Sequence, residues 1–333
     1  MKKLKMICLL LVMSTVACAT KPSEEAKRIV RDGAKAKVTF HVTDSQKNAV
    51  TNVNVNIFFV FLDRTKNYSI ESVTDSNGMC IVEGLCSTEI GARFSKEGYY
   101  ASGFGHKFLN TYPTPNVKDG KWQPWNPTIG ITLKEKRDTI PMYVKQAAIK
   151  LPKNGEPYGF DFKVGDLVKP HGKGEQADLN FMCAFKKKSE ISGDYKVELF
   201  VSAVQEGEGI IVNRKENSEF RTTYEAQESG YDPQFYSVTD RTSSKILQQI
   251  ELSRGEYLTF RSRIVRDDEG KIISSHYGKI IMDGTIDYGI DFNNPEGTRV
   301  GFIYYFNPTP NDRNLEYDGK NNLLNPRDPH YAP

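Results

Sequence analysis

The chain has 333 residues, with 45 Lys and Arg, 42 Asp and Glu and a formal net charge of +3. Three of its lysines, Lys2, Lys3 and Lys5, lie at the very start, so the rest of the chain carries 42 basic against 42 acidic residues. This balance argues against a nucleic-acid partner, which would require an excess of basic residues. The length is typical of two domains.

The first twenty residues have the three parts of a secretory signal. A basic start is followed by an apolar run over residues 6–13 and then by small residues around Cys18. The apolar run is too short to cross about 30 Å of hydrocarbon, and no later run approaches the length of a membrane-spanning helix. We therefore predict a signal peptide at 1–19 and an exported protein.

Two cleavage patterns overlap at Cys18. Ala17-Cys18-Ala19 fits ordinary signal peptidase, which would release a secreted chain that begins at Thr20. Val16-Ala17-Cys18 resembles a bacterial lipobox, although Thr15 stands where Leu or Val is usual. We favour the lipobox, which predicts an acylated Cys18 that holds the protein on a periplasmic or outer membrane surface through buried lipid.

The composition changes after residue 36. Residues 20–36 are charged and poor in apolar side chains, which predicts a tether. Alternating apolar residues then predict short strands at 38–42, 53–61, 70–74, 79–82, 90–94 and 128–133. Asn77-Gly78 is a strong hairpin signal between two of them. Strands of this length and spacing predict a β-sandwich.

The order of these signals resembles the carboxypeptidase regulatory-like domain. The resemblance covers about 37–135, and its most specific parts are Thr74-Asp75-Ser76-Asn77-Gly78 and Lys96-Glu97-Gly98-Tyr99. It implies a small transthyretin-like sandwich, here assigned to residues 37–139, that is appended to exported bacterial proteins and is not itself catalytic. A Pro- and aromatic-rich insertion at 99–127 departs from the usual pattern.

That insertion contains the chain's two tryptophans, Trp122 and Trp125, together with Tyr112. Long loops without secondary structure are usually functional or disordered. Exposed aromatic rings suit a sugar-binding platform, because the apolar face of a pyranose packs on an aromatic ring. We therefore predict polysaccharide binding at these three residues. The alternative is that the tryptophans pack the loop against the protein.

Three cysteines follow the signal, which is an odd number for an exported chain. Cys80 and Cys86 are close enough in sequence for a disulfide across a tight loop at Glu83-Gly84, and Cys183 lies in an apolar run. The alternative is that all three are small buried apolar residues. No His stands near them at ligand spacing, so we predict no metal site.

Residues 140–333 form a second predicted domain. Strands are predicted at 179–185, 195–204, 210–213, 257–265, 272–282 and 300–306, and the window 243–252 fits either a helix or a strand. Trp125-Asn126-Pro127, Ile140-Pro141-Met142-Tyr143 and the segment 307–316 make nearly the whole mature chain similar to a group of exported bacterial proteins. That resemblance implies export and an overall architecture, but it implies no particular activity.

A hairpin is predicted around Asp267-Asp268-Glu269-Gly270. If Arg266 pairs with Lys271, Arg261 faces His276 on the polar side of the ribbon. Such a cationic face predicts binding of an acidic glycan or a phosphate. The alternative is an ordinary solvated sheet face, which is common in antiparallel proteins.

Catalytic motifs are absent from the sequence. His171, in a Gly-rich loop with Asp166 and Glu175 nearby, is the most suggestive histidine, yet it belongs to no known catalytic spacing. The alternating acidic and amide residues at 312–318 have the composition of a calcium loop without the EF-hand spacing. We predict no catalytic residue, metal or cofactor.

The sequence thus predicts an all-β protein in which a transthyretin-like sandwich precedes a larger antiparallel β-sandwich-like domain. We expect a non-catalytic binding or structural module of the cell envelope, with a polysaccharide or another envelope component as its partner. Membrane contact is expected through a lipid anchor alone. The alternative is an extracellular hydrolase with its site in the second domain. Such an enzyme needs two catalytic carboxylates, and the sequence alone does not select a pair among the many acidic residues.

Overall fold

A computed structural model describes residues 23–108, 115–190, 193–250, 252–253, 255–281, 288–291 and 294–327. The protein is almost entirely β, with 55% of residues in strands and one α-helix in the described chain. The all-β fold class is confirmed. None of the described helices is both long and apolar enough to traverse a lipid bilayer.

The first part of the chain contains α1 (Glu24–Asp32), a short 3-10 helix (Arg64–Lys66) and nine strands. The strands are β1 (Ala34–Thr43), β2 (Asn54–Val60), β3 (Tyr68–Val73), β4 (Met79–Cys86), β5 (Glu89–Ser95), β6 (Ser102–Lys107), β7 (Val117–Lys118), β8 (Lys121–Trp122) and β9 (Thr128–Thr132). All six strands predicted in this region are present.

The second part contains thirteen described strands. They are β10 (Ile140–Leu151), β11 (Tyr158–Asp161), β12 (Asp166–Leu167), β13 (Leu179–Lys187), β14 (Tyr195–Ser202), β15 (Gly209–Arg214), β16 (Gln234–Arg241), β17 (Ile246–Ile250), β18 (Glu256–Arg266), β19 (Ile272–Ile281), β20 (Gly289–Asp291), β21 (Asn294–Phe306) and β22 (Tyr317–Asn322). The window 243–252 therefore contains a strand, which was one of its two predicted alternatives.

The chain divides into two compact units. Unit 1 comprises the chain up to Thr43, Lys47–Phe94 and Gly103–Ile131, and unit 2 comprises Asp44–Gln46, Ser95–Ser102 and the chain from Thr132 onward. The domain boundaries predicted from the sequence stay predictions.

Unit 1 is a sandwich of two sheets. One has the order β4-β1-β8-β7, with β9 also paired to β1, and the other has the order β3-β2-β5-β6. Phe40 of β1 and Phe94 of β5 are fully buried and meet edge to face, with ring centroids 5.0 Å apart. Because side chains alternate along a strand, the inward residues build this core and their neighbours face outward.

The Asn77-Gly78 turn does not join a hairpin within one sheet. The strand before it, β3, pairs with β2, whereas the strand after it, β4, pairs with β1 in the other sheet. Gly78 adopts a φ of +71°, and its N–H donates to the Asp75 carbonyl at 3.0 Å. The turn chemistry was predicted correctly, but the hairpin was wrong because long-range pairing decides which strands become neighbours.

The predicted tether is also wrong over its described part, 23–36. Ser23 caps α1, since its Oγ accepts a hydrogen bond from the Ala26 N–H at 3.0 Å. Ala26 and Ile29 are fully buried, and β1 starts at Ala34. Two apolar residues at helical spacing are enough to hold this charged helix in place once a core is present to receive them.

The predicted disulfide is not formed, and Cys80, Cys86 and Cys183 are all buried free thiols. Cys80 and Cys86 lie near the two ends of β4, which pairs with β1 along its whole length. Six residues of extended strand separate their Cα atoms by about 20 Å, whereas a disulfide needs less than about 7 Å. Gly84 lies within the continuous strand β4, so the tight loop predicted at Glu83-Gly84 is not formed.

Unit 2 is a second, larger sandwich. Its sheets have the orders β15-β18-β19-β21-β10-β22, with β20 paired to β21, and β12-β11-β13-β14-β16-β17. Phe181 of β13 stacks on Phe302 of β21, with ring centroids 4.9 Å apart, and both rings are buried. This inter-sheet contact belongs to a continuous core of aromatic and aliphatic side chains.

The register of the β18–β19 hairpin differs by one residue from the predicted register. The Asp267 N–H donates to the Lys271 carbonyl at 3.0 Å, and Gly270 has a φ of +81°, so the loop has three residues rather than four. Arg261 therefore faces Tyr277, and His276 faces Ser262. A one-residue change places Arg261 and His276 on opposite sides of the ribbon.

An ion cluster lies inside unit 2, next to an irregularity in β18. The Arg263 guanidinium, 10% exposed, bonds to Asp161 Oδ1 at 2.8 Å and to both carboxylate oxygens of Asp178. Asp178 is fully buried and also accepts hydrogen bonds from Ser262 Oγ and the Phe162 N–H, each at 2.8 Å. The cluster links three separate parts of the chain in sequence.

Removal of the Asp178 carboxylate should destabilise unit 2 strongly. Asp178→Ala leaves Arg263 buried with half of its counter-charge, which we expect to cost about 3–5 kcal/mol. Urea unfolding, followed by far-ultraviolet circular dichroism, measures the loss, because both tryptophans lie in unit 1 and their fluorescence would not report on unit 2. The control is Glu190→Ala, which breaks the exposed Lys187–Glu190 pair and should leave the unfolding midpoint in place. Equal midpoints for the two variants would contradict a structural role of the cluster.

Candidate functional site

The two tryptophans of the insertion face different environments. Trp122 is 1% exposed, its Nε1 donates to the Cys86 carbonyl at 2.9 Å, and its ring stacks on Phe108 at 5.2 Å. It therefore offers no free face to a sugar. The prediction of a binding role for Trp122 is wrong, and the packing alternative describes this residue.

Trp125 is half-buried on the outside of unit 1. The next two residues hold it in place: the Asn126 N–H donates to the Lys37 carbonyl at 3.1 Å, and the Thr39 N–H donates to the Pro127 carbonyl at 3.0 Å. The Lys121 and Lys37 ammonium groups lie 5.0 Å and 6.0 Å from the centre of the Trp125 ring. Trp125 is thus an aromatic ring bordered by cations.

Three lysines lie in a row beside Trp125. β8 pairs with β1 so that Lys121 is opposite Lys35, and β7 pairs with β8 so that Lys118 is opposite Lys121. Directly opposed residues of neighbouring strands share a face, and all three side chains are exposed. Lys37 follows on the same side of β1. We call Lys35, Lys37, Lys118, Lys121 and Trp125 the lysine face.

The lysine face has few counter-charges. Lys37 pairs with Glu83 of β4 at 3.3 Å, and Asp119 stands in the turn between β7 and β8. Lys35, Lys118 and Lys121 make no ion pair with any residue of the described chain. Their potentials therefore add, and the face is positively charged although the chain as a whole has nearly equal numbers of basic and acidic residues.

The other predicted binding residues are Tyr112, Arg261 and His276. Tyr112 lies outside the described residues, whereas Arg261 and His276 belong to unit 2. The Arg261 guanidinium donates to the carbonyls of Gly207 and Glu228 and lies over the Tyr231 ring, 4.7 Å from its centre. These contacts make Arg261 a clamp between loops, so the predicted cationic face is wrong.

His276 is 8% exposed and stacks on Phe306, with ring centroids 5.5 Å apart. Burial lowers the pKa of His276 to about 4, and the positive charges of Lys163 and Arg263 act in the same direction. The ring is therefore neutral at physiological pH. It cannot supply the cationic contact that the predicted register implied.

Unit 2 also has a polar cleft of about 460 Å³. Its lining residues are Arg137, Asp138, Ile140, Tyr224, Glu225, Asp312, Arg313, Asn314 and Glu316. The Arg137 guanidinium lies over the Tyr224 ring, 3.9 Å from its centre, and Arg313 bonds to Glu225 at 2.8 Å. His171 is not among the lining residues; its ring packs against Tyr158 at 4.9 Å.

The predicted calcium-like segment forms one wall of this cleft, and its side chains cap local turns. Asp312 Oδ1 accepts from the Asn314 N–H at 3.0 Å, Asn314 Oδ1 from the Glu316 N–H at 2.8 Å, and Asp318 Oδ1 from the Lys320 N–H at 2.9 Å. In the described part of the chain, no three His, Cys, Asp or Glu side chains are grouped as metal ligands.

Two lysines are buried elsewhere in unit 2 around the Phe220 ring. Lys279 is fully buried, donates to Thr222 Oγ1 at 3.0 Å and lies 4.8 Å from the centre of Phe220. Lys134 lies 4.6 Å from the same ring and bonds to Glu216 at 3.0 Å. Burial, together with the nearby Lys134 charge, lowers the pKa of Lys279 to about 7.

Replacement of Lys279 should stabilise unit 2 in a pH-dependent way. Between pH 10 and pH 7 the unfolded chain holds this proton and the folded chain does not, so wild-type stability falls as pH falls through that range. Lys279→Met removes this dependence. We expect the gap in melting temperature between variant and wild type to widen from pH 10 to pH 7 and to stay constant below.

The matched control is Lys271→Met at the exposed hairpin tip. It should leave the wild-type pH dependence in place. A Lys279→Met variant that melts below wild type at every pH would show that the buried amine stabilises the fold.

The sequence and structure were compared with those of known proteins. Neither a protein-family model nor a curated protein matches the chain. Among solved structures, 3-chlorocatechol 1,2-dioxygenase from Rhodococcus opacus is 12% identical, with a TM-score of 0.25 over 31% of this chain and 61% of that one. The chain thus spans less than two thirds of the dioxygenase's own length.

Two further structures cover more of the chain. A shaft pilin from Lactobacillus rhamnosus is 9% identical, with a TM-score of 0.22 over 80% of this chain and 93% of that one. A candidate carbohydrate-binding protein from Bacteroides uniformis is 8% identical, with a TM-score of 0.18 over 82% and 99%. Likenesses this weak assign no activity, ligand or partner, so the functional argument depends on the surfaces described above.

Proposed function

We propose that this protein is a non-catalytic binding module of the bacterial cell envelope and that it holds polysaccharide on the lysine face of unit 1. The observation that carries the proposal is the placement of Trp125, a half-buried indole bordered by the Lys37 and Lys121 ammonium groups. An apolar ring beside several hydrogen-bond donors matches a sugar, which has an apolar ring face and a polar rim.

The rigidity of the site supports the same function. Lys35, Lys37, Lys118 and Lys121 stand on paired strands, and the two residues after Trp125 are hydrogen-bonded to β1. A preformed surface loses little conformational entropy when a ligand binds. Binding without a deep pocket also suits a long polymer, which can cross an open sheet face.

The proposal also includes the location of the protein at a membrane surface. The sequence pattern at Cys18 supports an acylated N-terminus that keeps the module at a membrane surface. Mass spectrometry of the mature protein tests this point. A lipid-modified Cys18 is the expected result, and a chain that begins at unmodified Thr20 would instead indicate a released protein.

The hydrolase alternative has less support. It requires two carboxylates poised around a substrate, and the polar cleft of unit 2 is the place to look for them. There Glu316 Oε1 accepts from Tyr100 and from the Arg137 N–H, Asp312 caps a turn, and Glu225 pairs with Arg313. Carboxylates with these structural partners favour a binding module over an enzyme.

Trp125→Ala should weaken polysaccharide retention without changing the melting temperature. Burial of a half-exposed indole face contributes about 1–2 kcal/mol, so we expect about a tenfold loss in affinity. The measurement is retention of the mature chain on a panel of immobilised neutral and acidic polysaccharides, with a thermal melt of each variant.

Two matched variants make the result specific. Phe58→Ala removes an aromatic ring that is 41% exposed on the other sheet of unit 1, and it should retain polysaccharide like wild type. Trp122→Ala should cost about 3–5 kcal/mol of stability, because that ring is buried. Retention that survives Trp125→Ala, or a parent protein that retains no polysaccharide, would remove the proposal.

A further inference from the structure

We infer that the polysaccharide held on the lysine face is acidic, with carboxylate or sulfate groups at regular intervals along the chain. This inference rests on the proposed function and deepens it, because it assigns the chemical class of the ligand. The feature that carries it is the in-register row formed by Lys35, Lys121 and Lys118 across three neighbouring strands.

The row places like charges where a sheet normally avoids them. Directly opposed like charges on one face destabilise a strand pair, and here two such pairs share Lys121. None of the three ammonium groups is neutralised by a carboxylate among the described residues. A bound polyanion supplies the missing counter-charge and removes the repulsion, which a neutral glycan cannot do.

The spacing of the row favours a repeating ligand. Neighbouring strands lie about 4.8 Å apart, so the bases of the three lysines span roughly twice that distance across the sheet. Lys37 adds a fourth positive position along β1, although Glu83 partly neutralises it. Charges distributed in this way fit successive acidic sugars better than one compact anion, which would contact only two of the lysines.

Trp125 restricts the ligand in a second way. The Lys121 ammonium lies 5.0 Å from the centre of its ring, where the negative face of the indole attracts a cation. A neutral sugar that stacked there would displace the ammonium and offer it only hydroxyl oxygens, which carry no counter-charge. A sugar acid can pack its ring on Trp125 and place its carboxylate next to Lys121, so that both contacts persist.

The test compares two polymers that share one sugar backbone and differ in whether its carboxylates are free or methyl-esterified. Polygalacturonate carries one carboxylate per sugar, and fully methyl-esterified pectin has the same backbone with the carboxylates blocked. We expect the mature chain to bind polygalacturonate at least about tenfold more tightly than the ester, and its Kd to rise steeply with salt as counterions compete. Affinity electrophoresis and calorimetry measure both quantities.

Lysine variants test whether polygalacturonate binds at the lysine row. Lys121→Gln and Lys118→Gln each remove one charge from the row, and each should raise the Kd for polygalacturonate about fivefold and reduce its salt dependence. Lys271→Gln, at the exposed tip of the unit 2 hairpin, is the matched control with the same change in net charge. It should bind like wild type.

The outcomes separate the two proposals. Equal binding of both polymers, lost in Trp125→Ala, would keep the polysaccharide function and overturn its acidic class. Retention of no polymer at all would overturn both. Binding of single-stranded DNA as tight as that of polygalacturonate would show that charge alone determines binding, and would overturn the assignment to an acidic polysaccharide.

Discussion

The parallel pairing of β8 with β1 determines what this protein presents to its surroundings. The Lys35 N–H donates to the Gly120 carbonyl at 3.0 Å, and Lys121 comes directly opposite Lys35. Since side chains alternate along a strand, that register sends Trp122 into the core and Lys121 outward. The β7–β8 turn then adds Lys118 to the same face. One hydrogen-bonded register thus creates both a core contact and a charged surface.

Unit 2 uses its charged residues differently. Arg263 joins Asp161 and Asp178 in the interior, and Arg261 clamps two loop carbonyls. Such groups need partners wherever they lose water, and their contacts are accordingly made within unit 2. The lysines of the lysine face remain hydrated and lack ion-pair partners in the described chain, apart from Lys37. This contrast is the physical reason for placing the proposed binding function on unit 1.

The strands could be predicted from the sequence, and their partners could not. Apolar alternation is a local signal, so β1, β13 and β18 were recognised without knowledge of the fold. Pairing is a long-range property: Lys35 meets Lys121 across more than eighty residues, and β4 pairs with β1 instead of β3. The cysteine prediction failed for a related reason, because Gly84 lies within a continuous strand rather than in a loop.

The candidate site shows the same division between local and long-range information. Aromatic content indicated that the insertion matters, and Trp125 was among the predicted residues. Trp122 is buried and Trp125 is half-exposed because β8 ends at Trp122. The hydrogen bonds of Asn126 and Pro127 then bring the backbone back to β1. Of the four lysines, only Lys35 and Lys37 can be assigned to one face from the local sequence, because they alternate along β1. Their partners Lys118 and Lys121 become neighbours through pairing alone, so a charged face can arise in a chain that has nearly equal numbers of basic and acidic residues.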